Sequence, residues 1–116
     1  MKIVRLKNIP REKKEGYSIK RLLTEKISNK PDSIGFYETT VPVRSKCAQH
    51  IHERLYEFIY FLTKGKMRID NKYYKLDPGD IVILHPGDKH EFIADEDEVR
   101  IIAIKLPNII NDKVVC

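Results

Sequence analysis

His50-Ile51-His52, Glu57 and His90 are the residues of this chain whose types and spacing could do chemistry. An extended strand places alternate side chains on one face, so His50 and His52 point the same way. Two such imidazoles, a carboxylate on a neighbouring strand and a third imidazole can form a mixed nitrogen and oxygen metal site. Both ligand types bind near neutral pH without the redox liability of a thiolate. Three neutral imidazoles and one carboxylate leave a divalent ion with a net charge of +1. In octahedral geometry, four protein ligands leave two positions for water, substrate or dioxygen. Iron, manganese, nickel, cobalt and zinc all suit this set, so one divalent transition metal is expected.

Strands must position these groups. From Ile34 onward, short β-branched and aromatic runs alternate with turn signals. Ile34 to Val43 is the first run, with Pro42 marking an edge or a bend. Cys47 to His52 carries the histidine pair. Tyr56 to Leu62 is apolar on both faces, which predicts that both faces are covered. Met67 to Ile69 and Lys72 to Leu76 flank Asp70-Asn71, a tight hairpin signal. Asp77-Pro78-Gly79-Asp80 predicts a type II turn. Ile81 to Leu84, His90 to Ala94 and Val99 to Leu106 complete the series. This even spacing indicates an all-β sandwich or small barrel. Phe58, Ile59, Phe61, Ile81, Ile83 and Phe92 read as core. Ile19 to Ser28 fits either a strand or a short helix.

The 116 residues suffice for a single domain with its own core. Hydrophobic residues make up 41% and charged residues 34%, which excludes a disordered chain. Apolar runs are too short to span a bilayer, and no signal-peptide core follows Met1, so a cytoplasmic protein is expected. Cys47 and Cys116 make no disulfide framework; by strand parity Cys47 opposes His50 and reads as a packed free thiol. The net charge of +5 is uneven: residues 1–30 carry ten Lys or Arg against three Asp or Glu. No nucleic-acid-binding motif accompanies this basic arm, which reads as a solvated face.

The chain resembles the cupin superfamily over roughly residues 34–106. The first motif reads His50-Ile51-His52-Glu53-Arg54-Leu55-Tyr56-Glu57, with Gly65 closing the strand. The second reads Gly79-Asp80-Ile81-Val82-Ile83-Leu84-His85-Pro86-Gly87-Asp88-Lys89-His90. His85 stands where the family has proline, and Ala94 where it often has asparagine; neither departure touches a ligand. The resemblance implies a double-stranded β-helix, or jelly-roll barrel, with His50, His52, Glu57 and His90 as ligands inside it. It also implies one cupin domain over 1–116, with a barrel core at 34–106. Residues 1–33 would then supply edge strands or contacts for a homodimer.

A catalytic acid or base is less legible. His85, Tyr56 and Tyr60 are the candidates, with Tyr73 and Tyr74 read as packing or rim residues. Arg44 and Lys46 share parity with His50 on an unbroken strand and could meet an anionic substrate. The expected function is a metal-dependent, isomerase-like or dioxygenase-like reaction on a polar small molecule such as a sugar, sugar phosphate, keto acid or diol. The alternative is a sensor or storage module that binds a ligand without turnover.

Overall fold

Turn chemistry cuts the chain into its strands. Asp70 and Asn71 both take left-handed backbone (φ 47° and 69°), the conformation of a tight hairpin turn that short polar side chains tolerate. At the Asp77–Asp80 turn, Gly79 has φ 88° and Asp80 N–H donates to the Asp77 carbonyl at 3.0 Å, as the Pro-Gly pair predicts.

The computed structural model describes residues 1–26, 30 and 32–116. Its strands are β1 (Lys2–Val4), β2 (Arg11–Lys14), β3 (Tyr17–Lys20), β4 (Gly35–Val41), β5 (His50–His52) and β6 (Tyr56–Phe61). They continue with β7 (Gly65–Ile69), β8 (Lys72–Leu76), β9 (Ile81–Leu84), β10 (His90–Ile93), β11 (Val99–Leu106) and β12 (Lys113–Val115). One antiparallel sheet has the order β1-β9-β6-β11-β4 and a second the order β12-β5-β10-β7-β8. Their inner faces meet in a double-stranded β-helix, the jelly-roll architecture. Strands β2 and β3 form a separate hairpin.

The core lies between the sheets. Ile59 and Phe61 from β6, Ile101 from β11 and Val82 from β9 pack against Met67, Ile69, Leu76 and Phe92 of the second sheet. Each fully buried side chain of this size contributes about 1.5–3 kcal/mol. Alternation along β6 sends Glu57, Ile59 and Phe61 inward and Tyr56, Phe58 and Tyr60 outward. Phe58 is therefore a half-buried residue of the outer face rather than core. Strand β4 stands at a sheet edge, consistent with Pro42 directly after it.

Both chain ends join the sheets. Strand β1 pairs with β9, and the adjoining segment is anchored by Asp80, which accepts from Arg5 Nη1 at 2.8 Å and Leu6 N–H at 3.1 Å. Strand β12, which the sequence reading did not foresee, pairs with β5 and sets Lys113 opposite His52. The ambiguous segment Ile19 to Ser28 begins at the end of β3 and continues irregularly to Lys26; Ile27 and Ser28 lie outside the described residues. No helix among the described residues is long and apolar enough to cross a membrane.

Candidate metal centre

The paired strands β5 and β10 set His50 and His90 directly opposite each other. His52 follows two positions on, with the same inward parity. Their ligand-capable atoms all lie within 4.8 Å of one another, and all three residues are buried. Glu57 reaches the group from β6 of the facing sheet. Its Oε1 stands 3.5 Å from His52 Nε2 and 3.4 Å from His90 Nε2.

Backbone carbonyls orient two of the rings. His50 Nδ1 lies 2.7 Å from the Ala48 carbonyl, and His90 Nδ1 lies 2.9 Å from the Asp88 carbonyl. A carbonyl only accepts, so each Nδ1 carries a proton and Nε2 is the nitrogen left to serve an ion. Burial holds His50 at about 4, below its ordinary 6.5; the Ala48 carbonyl favours the proton but does not offset this. Burial would raise Glu57, yet His52 and His90 beside it hold its carboxyl well below the usual carboxylate range. Both groups therefore stand in their ligating states at neutral pH.

The donor set fits a metal ion. His52 Nε2, His90 Nε2 and Glu57 Oε1 are buried without a hydrogen bond, an arrangement that costs stability unless something else satisfies them. Two ligands each about 2.1 Å from an ion stand about 3–3.5 Å apart across angles of about 90–110°. The separations from Glu57 to His52 and His90 match that spacing.

His50, His52 and Glu57 line a cavity of about 280 Å³ together with Tyr37, Thr39, Cys47, Phe92, Ala103, Lys105 and Lys113, and His90 stands behind them against Glu57. Cys47 departs from the parity argument because β5 begins only at His50. Cys47 N–H donates to the Phe92 carbonyl at 3.1 Å, and Phe92 N–H donates to Cys47 Sγ at 3.3 Å, which turns the free thiol toward the cavity. Burial pushes its pKa up, so it remains a neutral thiol.

The other candidates lie elsewhere. Tyr56 and Tyr60 face outward from β6, on the side opposite Glu57. His85 is at the surface, 3.1 Å from the Met1 amino group, with its ring centroid 5.4 Å from that of Tyr56. Arg44 has φ 57° and breaks the strand that would have carried it to the site; Arg44 and Lys46 instead line a surface groove with Asp95 and Glu96. Lys105 and Lys113 are the charged residues that sequence reasoning missed. Parity with Val99, Ile101 and Ala103 was the available signal for Lys105, and the Val114-Val115 run was the signal for a strand at Lys113.

The family model for the cupin domain matches residues 37–105. No curated protein matches the chain. Among solved structures, the DMSP lyase DddQ from Ruegeria pomeroyi aligns with a TM-score of 0.65 and 17% identity, over 72% of this chain and 43% of that one. The chain thus spans less than half of that protein's length. KdgF from Halomonas sp. aligns with a TM-score of 0.62 and 19% identity, over 72% of this chain and 79% of that one. A conserved protein with a double-stranded β-helix domain from Klebsiella pneumoniae gives 0.65 and 13%, over 83% and 96%. At these identities the likeness is one of fold.

Proposed function

The chain belongs to the cupin domain family, and from that premise we propose that it is a metal-dependent enzyme acting on a polar small molecule, in an isomerase-like or dioxygenase-like reaction. The observation that carries this reading is the clustering of His50, His52 and His90 with Glu57 against two of them, where His52 Nε2, His90 Nε2 and Glu57 Oε1 are buried without a hydrogen bond beside an open cavity. A site that served folding alone would be closed by its protein ligands.

His50, His52 and His90 would hold the ion through nitrogen and Glu57 through oxygen. A divalent ion there supplies Lewis acidity toward a carbonyl or a pair of adjacent substrate oxygens. The protein's own part is positional. The carbonyls of Ala48 and Asp88 fix the rings of His50 and His90, and Phe92, Ile101 and Ala103 provide an apolar wall that limits water. The shared fold with a DMSP lyase supports small-molecule chemistry in such a barrel. A homodimer joined through the N-terminal strands belongs to the same reading, since β1 stands at a sheet edge.

Metal content by mass spectrometry tests the proposal on wild type, His50→Ala and Glu57→Ala. About one ion per chain in wild type, lost in both variants, is the expected result. Turnover that consumes oxygen with bound iron selects the dioxygenase-like branch, and oxygen-independent turnover with zinc or manganese selects the isomerase-like one. A wild type that retains no ion after loading with each candidate metal overturns the reading.

A further inference from the structure

Two lysines enter the mouth of the metal cavity from opposite sheets. Lys105 lies on β11 directly opposite Glu57, and Lys113 lies on β12 directly opposite His52. Each lysine thus stands beside a different proposed ligand in the strand register, and both residues line the same cavity. Lys105 is held in place: its Nζ sits 5.2 Å from the Tyr37 ring centroid, and Tyr37 Oη donates to Asn108 Oδ1 at 2.7 Å.

Neither ammonium makes an ion pair within the protein, among the described residues. The cavity's carboxylates are Glu57, among the proposed ligands, and Glu38, whose Oε1 is engaged by Arg100 Nη2 at 3.2 Å. A second groove, at the other end of the barrel, makes the contrast. There Lys64, Lys66 and Lys75 stand among Asp77, Asp95, Glu96 and Asp97, and Lys66 pairs with Asp95 at 3.1 Å. Carboxylates outnumber lysines at that end, whereas here Glu38 is taken up by Arg100 and Glu57 by the proposed ion, which leaves the two ammonium groups without an ion-pair partner among the described residues.

We propose that the site takes a small organic anion, whose carboxylate or phosphate head is held between Lys105 and Lys113 while adjacent oxygens on its carbon chain reach the ion. This assignment rests on the metal reading above and adds the charge of the substrate to it. A cavity of about 280 Å³ admits only a short molecule. Neutral sugars and diols, which the ligand set alone would accept, leave both ammonium groups unused.

The test is calorimetric, on the zinc-loaded full chain, with D-glycerate, glycerol 3-phosphate and glycerol as probes. Wild type is expected to bind both anions at least about tenfold more tightly than glycerol. In the double variant Lys105→Met/Lys113→Met, anion affinity falls about 10- to 100-fold while bound zinc is unchanged. The Lys105→Arg variant keeps anion affinity within about threefold, which separates charge from packing. The tighter of the two anions names the head group. Equal binding of glycerol and the anions, no anion binding by wild type, or a double variant within twofold of wild type overturns the proposal. Zinc content, measured in parallel, fails independently: wild type without zinc sinks the metal reading, whatever the lysine variants show.

Discussion

Along the inward face of β6, Ile59 and Phe61 are fully buried at one end, and Glu57 stands at the other. Strand β10 runs from Phe92 to His90 in the same sense, and β11 from Ile101 to Lys105. The same strands, on the same faces, thus build a dry apolar half and a half whose buried polar atoms lack hydrogen bonds. The apolar half gains stability from every contact, whereas the polar half gives some up, because unsatisfied buried groups carry a desolvation cost. One barrel therefore divides its strands between packing the fold and gathering the candidate ligands.

Substitutions at the two ends should separate these roles. The largest effect is expected from His90→Ala, which lowers metal affinity by at least about 100-fold in a competitive chelator titration, leaving the metal-free fold intact. Phe61→Ala does the reverse: it costs about 3–5 kcal/mol in a denaturant titration, and the folded fraction still binds about one ion per chain.

Acid sharpens the comparison. In the metal-free protein the unfolded chain takes up the His50 proton near 6.5, the folded one only near 4, so the unfolded state binds more protons between them. The His50 contribution to stability is fullest above about 6.5 and is lost as pH drops toward 4. His50→Asn should flatten that slope in melts across the window, and Phe61→Ala should leave it unchanged. The smallest effect is expected from Tyr60→Phe, within about 0.5 kcal/mol and without change in metal content, because that ring faces away from both halves.

The candidate cluster was legible in the sequence because strand alternation is a local rule, and His50, His52 and Glu57 lie within eight residues. Turn chemistry at Asp70-Asn71 and Pro78-Gly79 made most strand boundaries legible for the same reason. What failed depended on pairings distant in sequence. Parity could not carry Cys47 or Lys46 to their observed places, since β5 starts only at His50. Tyr56 and Tyr60 share a strand with Glu57, and only their parity with it, weighed against the core, shows that they face outward. Lys113 became part of the site through the register of β12 on β5, a contact across sixty-one residues that no local pattern announces.

Asp112 links that distant strand to the ligands. Its Oδ2 accepts from the N–H groups of Arg54 and Leu55, at 2.9 and 3.0 Å, in the loop between His52 and Glu57. Those two amide hydrogens are therefore shielded only while the C-terminal strand is seated. Deuterium uptake at Arg54 and Leu55 becomes a clock for how often the rim of the cavity lifts. A bound anion that bridges Lys105 and Lys113 would slow that clock, while the exchange of Phe61, deep in the apolar half, would keep its own time.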